Sequence, residues 1–246
     1  MAAQNKGARM SPHVVLNREV VKKVLETVDA GLVQGLGIPV PGKMCVEAAV
    51  NYALGGEHND HPACVSASVR AFKIGLNDGP WPTDADRTNG MRKLAIAQLG
   101  SDKIDQKQFR ITVAIQTVKR ILPIAFRAAA SLIPVHKNAL EAAAVDCEVV
   151  VDLAAARAAA RAGRVVCGTA RYDADAYADA YAAAAYAAAA AAYAAYAAAD
   201  ADAYAYAGEK AKAAARIKVL TICADIGLEA LIEQKSPGCE WLDLCQ

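Results

Sequence analysis

Residues 105–134 read DQKQFRITVAIQTVKRILPIAFRAAASLIP, and this stretch decides the fold class. Ile111, Ile115, Val118, Leu122, Ala125, Ala129 and Leu132 recur every three or four residues. An α-helix advances about 100° per residue, so they share one apolar face. Asp105 opens this helix. Pro123 has no amide to donate and crowds the preceding turn, so the helix must kink or split there, and Pro134 ends it.

The same period extends outward in both directions. Upstream, Ser11-Pro12 is a helix-start signal, and Val21, Val24, Leu25, Val28 and Leu32 follow at helical spacing. Three glycines and two prolines in residues 35–42 then make a turn-rich connector or hinge. A second helix is expected from Met44 to the Gly55-Gly56 stop, and a third from Pro62 to Leu76, ending in NDGPWP. Thr83 caps a fourth helix that runs to Leu99 and stops at Gly100. Downstream, one helix is expected from Val135 through LEAAAVDCEVVVDLAAARAAARAG, with Gly168, near Gly163, breaking it before the Ala/Tyr helix. A last one spans Glu209 to Gln234, with Ile217, Leu220, Ala224, Leu228, Leu231 and Ile232 apolar. No segment alternates with period two. The reading is an all-α, multi-helix bundle of seven to nine helices: an N-terminal helix (1–36), a central helical domain (37–134), and an Ala-rich long-helix region with a C-terminal helix (135–246).

Between Ala170 and Ala207, 38 residues comprise 24 Ala, 8 Tyr, 5 Asp and one Arg. Alanine has the highest helix propensity, so a long helix of roughly 57 Å is expected at about 1.5 Å per residue. Around that helix Tyr177, Tyr181 and Tyr206 fall near one side, and Tyr172, Tyr186, Tyr193 and Tyr204 near the other, with Tyr196 between. Two aromatic sides imply contacts on two sides, as in a low-complexity helix packed between neighbours of its own chain or one shared with a second copy. A tyrosine-lined groove stacking a nucleotide base is the alternative.

Composition narrows the classes. The chain of 246 residues is 55% apolar, which argues against disorder, and its formal net charge of +1 argues against a nucleic-acid binder. There is no run of about 18 strongly apolar residues, so no membrane span is expected. The N-terminal MAAQNKGARMSPH lacks the apolar centre of a signal peptide, and seven scattered cysteines read as reduced thiols; a cytoplasmic location is expected.

Four groups of residues could carry chemistry. Cys45, His58, His61 and Cys64 supply a zinc-like donor set, with Asp60 among them, although a polar capped loop explains the same residues and no cofactor is the first expectation. Cys45 at a helix start is a candidate nucleophile, with His58, His61 or His136 as its base; burial as a small side chain is the simpler reading. Arg157, Arg161 and Arg164 share a helical face suited to an anionic or nucleotide ligand, or to the acidic Tyr segment. Trp81, with Asn77, Asp78 and Arg87, marks a rigid loop that either carries function or plugs the core. No P-loop, dinucleotide fingerprint, HExxH or G-x-S-x-G is present.

The segments MCVEAAVNYALG, HPACVSASVRAFKIGLND, GMRKLAIAQLGSD and SPGCEWLDLC resemble a group of alanine- and tyrosine-rich proteins of bacteriophage and bacterial genomes for which no activity is established. The resemblance covers residues 43–104 and the last 30, with an Ala/Tyr repeat between. It implies a phage-associated protein acting on a host component and transfers no site residue. The leading expectation is therefore a non-enzymatic binding or assembly protein that self-associates through the Ala/Tyr helix, with Tyr177, Tyr181, Tyr186, Tyr193, Tyr196, the three arginines and Trp81 as contact residues. A nucleotide or signalling-molecule sponge, and a cysteine- or metal-dependent hydrolase centred on Cys45, are the alternatives.

Overall fold

The computed structural model describes residues 15–132, 137–167 and 209–246, all of them α-helical, 3-10 helical or connecting segments. The Ala/Tyr segment and its tyrosines lie outside the described residues. Among the described residues the helices are α1 (Arg18–Asp29), α2 (Val46–Ala53), α3 (Ala67–Asn77), α4 (Asp84–Ala97), α5 (Gln106–Arg120), α6 (Leu122–Leu132), α7 (Lys137–Glu148), α8 (Leu153–Cys167) and α9 (Glu209–Glu233). Two 3-10 segments, Ser101–Lys103 and Pro237–Cys245, complete them. The all-α expectation holds, and none of the described helices is long and apolar enough to cross a membrane.

Local chemistry sets most boundaries. The Asn17 side chain accepts from the amides of Glu19 and Val20, so α1 begins at Arg18 and no helix continues through residues 15–17 from Ser11. Ser66 rather than Pro62 starts α3, its hydroxyl accepting from Val69. Thr83 and Asp105 cap α4 and α5 in the same way, and Gly100 leaves α4 with a φ of 78°. Pro123 splits α5 from α6: the first ends at Arg120 and the second begins at Leu122, which leaves the proline in a first turn where no amide is needed. The helix expected over 135–168 is in fact two. It breaks at Val149–Asp152, where the Asp152 carboxylate accepts from the Ala155 amide at 2.8 Å and restarts the helix as α8. Gly163 lies inside α8, and Gly168, the expected break, lies outside the described residues.

One core joins α1 to α4, the front of α5, α9 and the C-terminal 3-10 segment, with Val24, Met44, Ala48, Met91, Leu94, Leu99 and Leu231 almost fully buried. A smaller cluster, Phe126, Ala130, Leu140, Ala143, Ala144 and Cys147, binds α6 to α7. The buried face of α5 differs from the expected stripe. Phe109, Thr112, Val113 and Thr117 are buried while Ile111, Ile115 and Val118 are only half-buried, because α5 packs against neighbours on more than one side. Thr112 accepts that position because its hydroxyl bonds Glu233 of α9 at 3.2 Å. Ile232, expected on the apolar face of α9, is exposed.

Three helical glycines seat aromatic rings. A Cβ at Gly90 would lie 2.2 Å from the Trp81 ring, at Gly163 2.2 Å from Phe126, and at Gly227 2.3 Å from Phe72. Phe72 in turn meets Phe109 edge to face with centroids 6.0 Å apart, so α9, α3 and α5 lock through one aromatic pair. The chain end is fastened by Ser236, whose hydroxyl donates to Ala97 O at 2.6 Å, and by the Gly238 amide on Leu99 O at 2.7 Å.

Candidate functional site

Of the two readings of residues 35–42, a turn-rich connector or a hinge, the structure shows a turn-rich connector that is held tightly. Residues 30–45 leave α1, turn back on themselves and return to α2, with bridges pairing Leu32 and Gly37 to Met44. Within it the Ile38 amide donates to Lys43 O at 2.8 Å and the Lys43 amide to Val40 O at 2.9 Å. Gly37 is obligatory: its φ is 71°, and a Cβ there would meet Lys43 O at 2.0 Å.

Two side chains of the NDGPWP turn pin the connector from below. Asn77 is fully buried; its Oδ1 accepts from the Val46 amide at 3.1 Å and its Nδ2 donates to Val33 O at 3.0 Å. Asp78 accepts from the Gly35 amide at 2.8 Å, and its own carbonyl accepts from Gln34 Nε2 at 3.0 Å. Arg87, itself buried, donates from Nε to Asn77 O at 2.8 Å and pairs with Asp84. Trp81 donates its indole N–H to Leu76 O at 2.9 Å and is 6% exposed, so it plugs the core and is not a ligand platform. Thr88 completes the support by accepting from the Leu32 amide at 2.9 Å.

The connector carries an outward apolar tip on this polar underside. Leu36, Ile38 and Val40 are 44%, 51% and 45% exposed, interleaved with Pro39 and Pro41. Three large, half-exposed apolar side chains within five residues of a fixed segment form a small apolar cluster on the surface.

Beneath the connector lies a cavity of about 40 Å³ lined by Gly35, Leu36, Cys45, Val46, Glu47, Asp60, Ile74, Asn77 and Asp78. Behind it sits a charged cluster that the sequence reading did not single out. Glu47 on α2 and Lys73 on α3 are both wholly buried, 3.6 Å apart, with Gln98 at the end of α4 beside them and also wholly buried. Burial raises the Glu47 pKa, against the pull of Lys73, Gln98 and Arg70. It lowers that of Lys73, against the pull of Glu47, Cys45 and Cys64. Desolvation thus outweighs pairing for each member. The only sequence signal was charge inside two apolar runs, Glu47 in MCVEAAV and Lys73, with Arg70, in VRAFKIG.

The sequence-derived candidates separate. Cys45 is 5% exposed and spends its sulfur as the N-cap of α2, accepting from the Ala48 amide at 3.4 Å. Burial raises its thiol pKa, the opposite of nucleophile activation. His58 hydrogen-bonds Gly37 O at 3.1 Å and steadies the connector, whereas His61 is exposed and pairs with Asp60. The Cys64 thiol pKa is also raised by burial. Among the described residues no group of three or more His, Cys, Asp and Glu is placed to hold a metal ion, so Cys45, His58, His61 and Cys64 are not brought together as a zinc site. The described cysteines Cys45, Cys64, Cys147, Cys223, Cys239 and Cys245 are free thiols. Arg157 and Arg161 are exposed on α8; the side chain of Arg164 and the residues Tyr177, Tyr181, Tyr186, Tyr193 and Tyr196 lie outside the described residues.

No family model matches the chain, and neither a curated protein nor a solved structure shows significant similarity to it.

Proposed function

We propose that the chain is a non-enzymatic helical binding and assembly protein that docks a second copy of itself through the connector tip, Leu36, Ile38 and Val40. The Ala/Tyr segment is the additional self-association surface, and the phage-type resemblance makes a host component the eventual target. One observation carries the reading: three large apolar side chains stay exposed on a segment that Asn77, Asp78, Thr88 and His58 hold in place. A preorganised surface binds without the entropy of ordering a loop. The formal net charge of +1 favours a self-partner, because two copies approach with little mutual repulsion. A cysteine hydrolase is disfavoured by the buried, capping role of Cys45.

Light scattering on the full chain across micromolar concentrations tests this. Association that weakens in Ile38→Asp/Val40→Asp supports the connector as the contact. A wild-type chain that stays monomeric throughout removes the proposal, and association untouched by the double substitution moves the contact elsewhere.

A further inference from the structure

Helix α8 turns a charged face to solvent. Its inner side holds Ala156, which is 2% exposed, and Gly163, which seats the Phe126 ring of α6. On the opposite side Ala154, Arg157, Ala158, Arg161 and Ala162 recur every three or four residues, and all five are exposed. Neither arginine has an ion-pair partner among the described residues, whereas Arg92, Arg120 and Arg127 pair with Asp29, Glu229 and Glu148. Just before α8, Val149 and Val151 are 68% and 81% exposed.

The sequence that follows α8 complements that face in charge and in spacing. Residues 153–167 contain three arginines and no acid, and the next 41 residues, 168–208, contain five aspartates and one arginine. Gly168 is a helix stop and Thr169 a helix-start residue, so the alanine-rich sequence is set to turn there and restart as a second helix antiparallel to α8. About Gly168 the two sequences mirror each other: Arg161 and Asp175 each lie seven residues from it, and Arg157 and Asp179 each eleven. Both pairs are spaced i, i+4, which puts each along one helix face. Tyr186, eighteen residues beyond Gly168, falls opposite the stretch between Val149 and Val151. At about 100° per residue, Asp175, Asp179 and Tyr186 fall within about 40° of one another, with Tyr177 and Tyr181 on the other side. As a helix, residues 170–187 would span about 27 Å, enough to run the length of the 15 residues of α8, and residues 188–208 are left to return to α9.

We infer that the first half of the Ala/Tyr segment docks on α8 of its own chain, with Asp175 on Arg161, Asp179 on Arg157 and Tyr186 over Val149 and Val151. The small side chains of Ala154, Ala158 and Ala162 let a second alanine-rich helix approach closely. Exposed ion pairs contribute little energy, so these set the register while the alanine faces and the tyrosine ring supply the buried area. Docked this way, Tyr177 and Tyr181 point away from α8, on the side available to a second copy. The contact forms within one chain and does not rest on the connector tip.

A photo-crosslinking side chain at Ala158, on the exposed face of α8, tests this in the full chain, with crosslinks mapped by mass spectrometry in the product that runs as a monomer. Crosslinks to residues around Ala178, the mirror position about Gly168, are expected. Arg157→Glu/Arg161→Glu should lower their yield several-fold, and adding Asp175→Arg/Asp179→Arg should restore it. Both arginines are exposed, so the reversal leaves the core intact. Monomer crosslinks that avoid residues 171–187, crosslinks confined to covalent dimers, or a yield that charge reversal leaves unchanged overturns the inference. A chain that never dimerises yet gives the crosslink near Ala178 removes the connector contact and upholds this one.

Discussion

Replacing Lys73 by Met isolates what the buried pair contributes. At 3.6 Å and an effective dielectric of about 20, the two charges attract by about 4–5 kcal/mol. Removing both from water costs several kcal/mol per ion, so the intact pair comes close to break-even. The single variants are a different matter. Lys73→Met leaves Glu47 at 0% exposure with no counter-charge, and Glu47→Gln leaves a lone buried ammonium; each is expected to cost about 3–5 kcal/mol. Glu47→Leu/Lys73→Met removes both charges and fills the same space with apolar atoms, so it should lie between neutral and about 4 kcal/mol more stable than the wild type. Urea unfolding followed by circular dichroism at 222 nm, run as a double-mutant cycle, measures all of these. The sign with pH is also set. The Lys73 pKa falls from 10.5 to about 8 on folding, so between those values the unfolded chain holds more protons and stability rises with pH. For Glu47, whose pKa is raised from 4.5, the neutral acid is the form that folding favours, and its contribution declines as pH rises through the folded value. In Lys73→Met the rise between pH 8 and 10.5 should disappear. A Lys73→Met variant that loses less than about 1 kcal/mol, or a double variant as unstable as either single one, refutes the reasoning.

Other consequences follow from the packing and the connector. Gly227→Ala places a Cβ 2.3 Å from the Phe72 ring, so overpacking of about 1–3 kcal/mol is expected and should lower the thermal midpoint. Asn77→Ala strips partners from the Val46 amide and Val33 carbonyl; a loss of about 2–4 kcal/mol by urea unfolding is expected, with faster hydrogen exchange at the Val46 amide. Cys45, with a pKa raised by burial, should react with a thiol reagent at neutral pH far more slowly in the native protein than in denaturant, and fast native reaction would reopen a nucleophilic role.

Where a boundary is written in adjacent residues, it was readable from the chain. Thr83, Asp105, Gly100 and Pro123 each act through atoms within a turn of themselves, and the structure uses each of them at its expected place. The break at Val149–Asp152 was hidden because alanine-rich periodicity runs straight across it, and only the Asp152 cap reveals the restart. Likewise the burial of Thr112 and Thr117 depends on how many neighbours surround α5, which one helix's pattern does not encode. The rigid turn around Trp81 left a functional loop and a core plug both open, and only its burial and its bond to Leu76 O select the plug. The glycines and prolines of residues 35–42 read as a turn-rich connector or a hinge without distinguishing the two. The connector's fixation depends on Asn77, Asp78 and Thr88, which are distant in the chain. Glu47 and Lys73 went unnoticed for the same reason, since a charge in an apolar run acquires meaning only when its partner is placed beside it.

The connector's role is tested most directly by installing a photo-crosslinking side chain at Ile38, the most exposed residue of the tip, and irradiating the full protein at micromolar concentration. Covalent dimers are expected, with crosslinks that map to residues of a second copy and a yield that rises with concentration. A product that remains monomeric at every concentration would contradict it.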